Sequence, residues 1–542
     1  MSFISRQFAA LLVAASLTVA VSARAQDDKA AAKPQEKSTE QAPADSTTQG
    51  AVDVGNQHIA YTAVAGTIVV GATDSQDAQL GNDGKPLAGS QLALDAPKEP
   101  KDAPAVARMF YVAYFKKDTK AEDRPVTFFY NGGPGSSTVW LHMGSLGPKH
   151  VITAGDTHLP AAPYKMVDNP YSLLDVSDLV FIDMPGSGFG RLTGKDADKS
   201  FWGLDGDANA FARFIQRFVT KYNRWNSPKF IFGESYGTTR SAVLADLLEN
   251  QHDMDLNGVI LLSQIFNFTT DIDMPGANPG VDLPYELGLP TYAATAWYHK
   301  KLPTQPAALE PFLTEVEQFA MGPYAHALAL GTDLSEQEKQ QVAEKLHEYT
   351  GLPTAYWLKA DLRVNGGEFE KTLQDDAGLT TGRLDTRFSG PQLDPLSQYA
   401  EYDPQSSAIS SAYVSIFNDY VRRELKYGEG QTYLPEIYGD AHWDFKHHGN
   451  PVSVNVANDL AEAMKINPRL KVMVNGGYYD LATPFFTAQY EDKHLPIPQS
   501  LAKNIEYDWY ESGHMVYVRD ECLKQLHDRV AAFITSAQTA NK

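Results

Sequence analysis

Cysteine is almost absent from this sequence, which has a single one, Cys522, among 542 residues. An intrachain disulfide is therefore excluded, and the stability of the fold must come from its buried core. Cys522 directly follows Asp520 and Glu521. Because neighbouring carboxylates raise the pKa of a thiol, we do not expect a catalytic thiolate at this position.

Positive charge is also scarce, with 46 lysines and arginines against 67 aspartates and glutamates and a formal net charge of −21. This excess of negative charge argues against nucleic acid or an anionic membrane surface as the partner. Long apolar runs are missing as well, because no stretch beyond the amino terminus is long and apolar enough to cross a bilayer. The hydrophobic content of 43% is ordinary for a globular protein.

The amino terminus has the pattern of a secretory signal over residues 1–25. Arg6 supplies a positive charge, residues 8–21 form an apolar run, and residues 23–25 match the small-x-small pattern of a cleavage site. The alternative is a membrane anchor, but the run is short for a span of roughly 20 residues. We therefore expect an exported protein, periplasmic or secreted, that is soluble after signal removal. Residues 26–50 have almost no aliphatic content, which predicts a disordered linker.

The most informative stretch is residues 229–237, Lys-Phe-Ile-Phe-Gly-Glu-Ser-Tyr-Gly. An apolar run leads into G-x-S-x-G and an amphipathic helical pattern follows, an order typical of the strand, turn and helix of a nucleophile elbow. Gly233 and Gly237 suit such a turn because a Cβ there would clash with nearby backbone. The turn would expose the hydroxyl of Ser235 above the end of a buried sheet. An ordinary turn also fits this pentapeptide, so the decisive support must come from elsewhere in the chain.

Short apolar strands alternate with helices on both sides of this stretch. Residues 125–130, 179–183 and 259–263 are predicted as buried strands, and residues 207–222 as an amphipathic helix. This alternation predicts an α/β fold with a doubly covered, mostly parallel sheet. Strands earlier in the chain, within residues 51–117, are expected to be antiparallel.

The alternation stops between about residues 271 and 451. Pro- and Gly-rich turns replace it, together with helical patterns such as residues 335–349 and 406–425. We expect a largely helical insertion, or cap, over the carboxyl ends of the strands, where ligands of open α/β sheets bind. The insertion would divide the core into residues 51–270 and 452–542.

Two further residues are expected to form a hydrogen-bonded relay with Ser235, in which an acid orients a histidine and the histidine takes the serine proton. Where a nucleophile elbow is used, the order along the chain is nucleophile, acid, histidine. Asp480 follows the predicted strand 470–474, and His514 lies on a loop before the predicted last helix, 520–536. Asp480 and His514 are therefore the expected acid and base.

Together these motifs resemble the serine carboxypeptidases, which are peptidases of the α/β-hydrolase fold. The combination of N-G-G-P-G, G-E-S-Y-G and G-H-M-V in this order is highly specific, and the resemblance runs from about residue 125 to the end without the insertion. The matching segments are Asn131–Ser137, Asn169–Ser172, Asp183–Phe189, Gly233–Gly237, Asp480 and Gly513–Val516. The resemblance implies a serine-type carboxypeptidase that acts on peptides and needs neither a metal nor an organic cofactor.

The resemblance also assigns roles that acyl-transfer chemistry requires. Ser235 would attack the scissile carbonyl, and His514 would take its proton and return it to the leaving amine. Asp480 would orient the imidazole. The backbone N–H groups of Gly133 and Tyr236 would form the oxyanion hole.

The resemblance implies that Asn131, the Gly132 amide and Glu234 bind the C-terminal carboxylate of the substrate. Because a carboxylate cannot donate a hydrogen bond to another carboxylate, Glu234 is expected to be protonated in this role. The second glutamate of the family is replaced here by Ser145, whose hydroxyl can donate to the terminal carboxylate although the paired acids of the family are lost, and its usual cysteine after G-P-G by Ser136. The replacement by Ser145 affects recognition of the substrate carboxylate, and neither replacement changes a residue of the relay.

Two alternatives stay open on the sequence alone: an esterase or acyltransferase with the same relay, and a peptide-binding protein with a vestigial site. His442, Asp444, His447 and His448 suggest metal ligands. Their spacing matches no standard ligand pattern, so we expect a solvated loop and no metal site. Arg240 is expected to form a structural ion pair rather than to bind substrate.

Overall fold

The computed structural model describes residues 44–97, 99–273, 275–437, 442–448 and 453–539. Within these residues, ten strands form one sheet and two pairs of short strands lie apart from it. The strands are β1 Ser46–Val54, β2 Gln57–Gly71, β3 Val106–Lys116, β4 Val126–Tyr130, β5 Lys149–Val151, β6 Met166–Asp168, β7 Asp178–Ile182, β8 Arg191–Thr193, β9 Lys229–Glu234, β10 Gly258–Leu262, β11 Leu379–Thr381, β12 Ser389–Pro391, β13 Lys471–Gly477 and β14 Ile505–Tyr510.

The strand order in the large sheet is β1-β2-β3-β7-β4-β9-β10-β13-β14, with β8 paired to β3. Neighbours are antiparallel from β1 to β7 and parallel from β7 to β14. Strands β4, β7, β9 and β10 are buried along their whole length, which is why their sequences are nearly continuous apolar runs. The register places Phe129 between Phe181 and Phe232. The predicted mostly parallel sheet is confirmed.

The first strand differs from the prediction. Strand β1 pairs with β2 along its whole length, from Ser46 opposite Ala65 to Val54 opposite Gln57. Residues 46–50 are therefore strand and not the end of a disordered linker, because an edge strand is held by backbone hydrogen bonds and does not require apolar side chains. The predicted signal and the first part of the linker, residues 1–43, lie outside the described residues.

Helices cover both faces of the sheet, as the alternation predicts. Among the described residues, the α-helices are α1 Asp74–Asp77, α2 Gln91–Leu94, α3 Val139–Gly144, α4 Ala197–Phe201, α5 Leu204–Lys221, α6 Tyr236–Asp246, α7 Leu283–Tyr298, α8 Leu309–Phe319, α9 Ala325–Leu330, α10 Glu336–Thr350, α11 Thr354–Lys359, α12 Gly366–Thr372, α13 Pro404–Arg423, α14 Ala457–Ile466, α15 Phe485–Lys493, α16 Gln499–Ala502 and α17 Asp520–Thr539. Helices α5, α6 and α14 pack on one face, and α3, α13 and α17 on the other.

Helices α7 to α13 lie within the predicted insertion. Most of them bury their apolar side chains in a core of their own, which extends onto Tyr478, Tyr479 and Phe485 just after β13. Helix α13 instead packs on the sheet, through residues such as Ile409 and Tyr413. The insertion thus lies over the carboxyl end of β13, and its helix α13 forms part of the helical layer that covers one face of the sheet. In the part of the chain that the structure describes, no helix has the length and apolarity needed to cross a membrane.

Candidate active site

The turn between β9 and α6 holds Ser235. Its backbone has φ 61° and ψ −132°, a conformation that residues other than glycine rarely adopt. The N–H of Ser235 donates to the Leu262 carbonyl at 3.0 Å, and the N–H of Thr238 donates to the Ser235 carbonyl at 2.7 Å. A Cβ on Gly233 would lie 2.6 Å from the carbonyl carbon of Gly237, so glycine is required there. The structure therefore contains the strand, sharp turn and helix expected around Ser235.

The glycine-rich loop after β4 lies directly against this turn. A Cβ on Gly132 would lie 2.7 Å from both the Glu234 carbonyl oxygen and the Gly237 nitrogen, and closer still to the Tyr236 nitrogen. Only glycine fits at such a distance. Gly133, the next residue, has φ 109°. The backbone of the loop and that of the turn are thus side by side at the carboxyl ends of β4 and β9.

Asp480 and His514 meet although 34 positions separate them. Asp480 follows β13, His514 follows β14, and these strands are parallel neighbours. The imidazole Nδ1 lies 2.8 Å from Asp480 Oδ2. Thr483 completes the surroundings of the carboxylate, donating its N–H to Oδ1 at 3.0 Å and its hydroxyl to Oδ2 at 2.7 Å. The carboxylate is thereby fixed in position and holds Nδ1 of the imidazole.

The backbone of His514 is fixed from two sides. Its N–H donates to the Leu384 carbonyl of the insertion at 2.7 Å, and its carbonyl accepts from the Ser263 hydroxyl at 2.7 Å. Burial alone lowers the pKa of the imidazole, but the charge of Asp480 and the hydrogen bond to it outweigh burial, so the pKa lies above its usual value. The surroundings therefore favour the protonated imidazole that proton transfer would create.

Ser235 and His514 line one cavity of about 520 Å³. Four other predicted site residues line it as well: Asn131, Gly132, Gly133 and Glu234. Asp480, hydrogen-bonded to the imidazole, is fully buried. Six of the eight predicted residues therefore open onto one space of the size that small-molecule and peptide ligands occupy.

Glu234 is almost completely buried beside Ser235. Burial raises the pKa of its carboxyl group to about 7, although the nearby His514 and a hydrogen bond from the Tyr517 hydroxyl, 2.9 Å from Oε2, act in the opposite direction. A carboxyl group with this pKa is largely protonated in mildly acidic solution. It can then donate a hydrogen bond into the cavity, as the sequence argument requires.

Asn131 is fixed with its oxygen turned towards the protein. Its side-chain Oδ1 accepts from the N–H of Leu141 at 3.0 Å, and its backbone carbonyl accepts from Arg240 Nη1 at 2.8 Å. The side chain of Asn131 also acts on Glu234, where it slightly opposes the rise in the pKa of the carboxyl group. The amide nitrogen is the only donor of the Asn131 side chain. The hydrogen bond from Leu141 to Oδ1 fixes the orientation of this amide.

Ser145 does not take the place expected for it. It follows α3, is fully buried, and donates its hydroxyl to the Leu141 carbonyl at 2.5 Å. It is not among the described residues that line the cavity. The prediction that its hydroxyl replaces the missing glutamate as a donor to the substrate is therefore wrong, because that hydroxyl closes the last turn of a helix.

The side chain of Tyr236 packs away from the cavity. Its ring meets that of Trp443 edge-on at 5.5 Å, and the guanidinium of Arg240 lies 5.4 Å from its centre. Only the backbone of Tyr236 faces the glycine-rich loop. Arg240 is fully buried and pairs with Asp207 at 2.6 Å, so it is the structural ion pair that the sequence predicts.

The insertion contributes residues that no motif indicates. Arg383 and Leu384 line the cavity beside His514, and α13 adds Gln405, Ser406, Ser410 and Val414. The segment after α13 also binds the glycine-rich loop, since the N–H of Ser137 donates to the Pro435 carbonyl at 2.8 Å. Of the missed residues, only Thr483 has a sequence signal: a threonine three positions after an aspartate often hydrogen-bonds back to it.

The sequence predicts that the histidines of segment 442–448 are solvated, and this holds for only some of them. His442 and His448 are exposed, but His447 is 6% exposed. Its two ring nitrogens contact Asp205 and Asp459. The prediction is wrong for His447 because its partners, Asp205 and Asp459, lie on helices α5 and α14 and not within the segment.

A mostly parallel sheet with a serine turn after one strand, an acid after a later strand and a histidine after the last is the arrangement of the α/β hydrolases. The family model described as "Serine carboxypeptidase" matches residues 101–521. The match covers well over half of the sequence, and the chain belongs to this family of hydrolases.

Curated relatives are similar over shorter stretches. A "Serine carboxypeptidase-like" protein of Oryza sativa subsp. japonica is 31% identical over 133 residues, 24% of this chain and 28% of that protein. Serine carboxypeptidase-like 13 of Arabidopsis thaliana is 24% identical over 185 residues, 34% of this chain and 40% of that protein. The chain thus matches less than half the length of each of these two relatives.

Solved structures align with this chain at low identity and with low TM-scores. A proline iminopeptidase from Mycobacterium smegmatis aligns over 80% of this chain and 97% of that one, at 13% identity and a TM-score of 0.34. A peroxisomal alpha-beta-hydrolase from Saccharomyces cerevisiae aligns over 87% and 89%, at 11% identity and a TM-score of 0.32. Scores this low add nothing to the family assignment.

Proposed function

We propose that this protein is a serine-type carboxypeptidase that releases C-terminal residues from peptides through an acyl-enzyme. The observation that carries the proposal is Glu234, a buried carboxyl group with a pKa raised to about 7, in the same cavity as Ser235. An esterase or an endopeptidase has no need for such a group beside the nucleophile. An exopeptidase needs a donor there, because its substrate ends in a carboxylate.

The relay supplies the acyl-transfer chemistry. Ser235 Oγ attacks the scissile carbonyl while His514 takes the hydroxyl proton, and the tetrahedral intermediate collapses when His514 gives that proton to the leaving amine. Water then attacks the acyl-enzyme, losing a proton to His514, and Ser235 regains its proton as the acid is released. Asp480, 2.8 Å from Nδ1, holds the tautomer that leaves Nε2 free to accept.

The oxyanion of each intermediate accepts hydrogen bonds from the N–H groups of Gly133 and Tyr236. Support for this assignment comes from the contact between Gly132 and the Tyr236 nitrogen, which brings the two segments together. Loss of one such donor typically lowers the rate by about 10²–10³. The same closeness explains why no side chain can be placed on the loop at residue 132.

The terminal carboxylate of the substrate binds to Asn131, the Gly132 N–H and protonated Glu234. The amide nitrogen of Asn131 is available because its oxygen is bound to α3. Once ionised, Glu234 would repel the substrate carboxylate instead of donating to it. Binding of peptide acids is therefore expected to weaken as the pH rises through about 7.

The test compares a blocked dipeptide with its C-terminal amide, using the wild-type protein and Ser235→Ala. We expect hydrolysis of the free acid to exceed that of the amide by at least about tenfold, since hydrogen bonds to a charged group contribute roughly 1.5–3 kcal/mol. Stoichiometric labelling of wild-type protein, but not Ser235→Ala, by a fluorophosphonate establishes the nucleophile. Equal rates for acid and amide contradict the carboxypeptidase proposal.

One observation favours a second candidate, an esterase or acyltransferase with the same relay. The Ser145 hydroxyl is bound within α3, so the paired donors of the family are reduced to one acidic group, Glu234. In that case ester substrates without a carboxylate would be cleaved as fast as peptide acids. A protein that neither hydrolyses these substrates nor reacts with the fluorophosphonate would instead be a peptide-binding relative with a vestigial site.

We also propose that the protein is exported and that the signal is removed after Ala25. The support is the charged, apolar and small-residue pattern of residues 1–25. The mass of the mature amino terminus, measured on protein from the native host, tests this proposal. A mature chain that retains residues 1–25 contradicts it.

A further inference from the structure

A second group of ligand-type side chains lines a different cavity, of about 330 Å³, where segment 442–448 meets α14. His447 Nε2 lies 3.1 Å from Oδ1 and 3.0 Å from Oδ2 of Asp459. His448 Nε2 lies 3.3 Å from Asp459 Oδ1. Two imidazole nitrogens from adjacent residues therefore converge on one carboxylate, whose side chain is only 4% exposed.

These distances match the size of a metal coordination shell. A tetrahedral ion with bonds of about 2.0–2.1 Å to its ligands places those ligands roughly 3.3 Å apart. One ligand atom from each of His447, His448 and Asp459 lies within 4.8 Å of the others. Imidazole nitrogen and carboxylate oxygen are donors that suit Zn²⁺ and related transition metals.

Asp205 provides the supporting contact that metal-binding histidines usually have. His447 Nδ1 lies 2.8 Å from Asp205 Oδ1, on the side of the ring opposite Asp459. Donation of Nδ1–H to a carboxylate fixes the tautomer in which Nε2 is free to bind a cation. Since Asp205 lies in the first turn of α5, the arrangement connects α5, segment 442–448 and α14.

The surroundings carry more negative charge than two imidazoles balance. Glu462 lines the same cavity, and the carboxylates of Asp459 and Glu462 repel that of Asp246 at the end of α6. Asp246 is 7% exposed, and its Oδ1 has no hydrogen-bond partner within the described residues. A buried carboxylate oxygen without a partner is unfavourable. A divalent cation would balance this charge.

We propose that His447, His448 and Asp459 bind one divalent transition-metal ion, with Asp205 orienting His447. The ion would have a structural role, because the same segment carries Trp443, whose ring packs on Tyr236 next to the serine turn. Metal binding would hold the segment against the helices behind that turn. This proposal does not depend on the proposed carboxypeptidase activity.

The test titrates the full-length protein, freed of metal with a chelator, with ZnCl₂ in a calorimeter at pH 7.5 and follows Tm in parallel. We expect about one ion per chain and a Tm that rises with Zn²⁺ concentration, because a ligand that binds only the folded state stabilises it. His448→Ala should lower the affinity at least tenfold. Asp205→Asn should lower it about 10–100-fold, as loss of an orienting partner usually does.

His442→Ala is the matched control, since it removes an exposed histidine from the same segment without touching the cluster. It should leave both affinity and Tm shift unchanged. The His448 ring is 69% exposed, so His448→Ala should keep its metal-free Tm even if variants at the buried Asp459 fail to fold.

Several outcomes would overturn the proposal. One is the absence of saturable Zn²⁺ binding by the wild-type protein, and another is an unchanged affinity in His448→Ala. An equal Tm shift with CaCl₂ would indicate an oxygen-only site and would remove the histidines from it. Each of these results would leave His447 with a purely structural role, in which its ring nitrogens contact Asp205 and Asp459 without a metal ion.

Discussion

The wall of the candidate active-site cavity that carries Ser235 is built at the ends of two neighbouring parallel strands, β4 and β9, whereas another wall is built from the insertion. In the first wall, strand register sets the positions of Gly132, Glu234 and Ser235, because Tyr130 is opposite Gly233. In the second, loops and α13 present residues such as Arg383 and Val414. The strand ends therefore fix the positions of the proposed reacting groups, whereas the insertion shapes the part of the cavity that would contact the side chains of the substrate.

His514 belongs to both walls. His514 follows strand β14, which places its imidazole beside Asp480, and the backbone N–H of His514 donates to the Leu384 carbonyl of the insertion. Loss of the reacting groups of the strand-built wall should therefore act mainly on kcat, whereas loss of its carboxylate-binding group, Glu234, should act on KM. Loss of groups from the insertion wall should act mainly on KM, except where the insertion supports the histidine.

The largest expected effect comes from removing the nucleophile. Ser235→Ala should lower kcat for a blocked dipeptide by roughly 10⁴–10⁶, with an unchanged Tm, because no other group can form the acyl-enzyme. The matched control is Ser410→Ala on α13, which also lines the cavity. Loss of that hydroxyl should change kcat/KM by less than about tenfold. Similar losses in both variants would refute the division between the walls.

A smaller loss is expected at Asp480. Asp480→Asn should lower kcat by about 10⁴, since the amide favours the wrong tautomer of His514. Thr483→Ala removes the hydroxyl that donates to Asp480 Oδ2, together with one methyl group, and leaves the carboxylate in place. It should reduce kcat by less than about tenfold, the effect of one hydrogen bond. Steady-state kinetics on both variants checks this, and equal losses would show that Thr483 is essential to the relay.

The third effect depends on pH and on Glu234. Its pKa of about 7 means that it is protonated, and a donor, below neutral pH and ionised above it. KM for a peptide acid should therefore rise as pH increases from 6 to 9, by up to about tenfold for each pH unit above the pKa. Glu234→Gln keeps a donor at every pH and should give a flat KM. The corresponding C-terminal amide should lack the rise even in the wild-type protein.

His514 sets the opposite limb of the same profile. Its pKa lies above the usual value, so the neutral imidazole needed for attack becomes scarce as pH falls below that pKa. Consequently kcat/KM should fall at acidic pH for acid and amide substrates alike. A KM for the peptide acid that stays constant to pH 9 would contradict the role of Glu234, without affecting that of His514.

The smallest effect should come from the insertion wall. Val414→Ala removes two methyl groups from α13 at the cavity. For substrates with bulky apolar residues at the scissile bond, KM should rise by about tenfold, the effect of roughly 1–2 kcal/mol of lost apolar contact. Measurement of kcat and KM across a peptide series checks this. A fall in kcat with constant KM would place Val414 with the strand-built wall.

Much of the fold could be predicted because buried parallel strands have continuous apolar sequences. β4, β7, β9 and β10 follow this rule, and so does the face of α5 formed by Phe211 and Phe218. The last strand, β14, has the alternating sequence Ile-Glu-Tyr-Asp-Trp-Tyr and lies at the edge of the sheet. Its half-buried pattern gives no comparable signal, and the polar residues 46–50 of β1 have the composition of a linker.

The predicted site residues come together in the structure where strand ends position them, and the predictions fail where tertiary contacts decide. Asp480 and His514 follow strands, so their meeting could be anticipated. The hydrogen-bond partner of Ser145 could not be predicted, because its hydroxyl can donate either to a ligand or to a helix carbonyl, and the position of the helix is not known from the sequence. Residues of the insertion wall belong to segments whose helices are predictable but whose packing is not.

The hydrogen bond between Leu384 and His514 has a consequence for engineering the protein. Arg383 lines the cavity, and the carbonyl of its neighbour Leu384 accepts the N–H of His514, so one short stretch of the cap contributes to both the cavity and the position of the proposed base. Grafting a cap from another hydrolase to acquire a new selectivity would exchange that support together with the pocket. Chimaeras that keep residues 383 and 384 from this chain should retain turnover better than complete replacements.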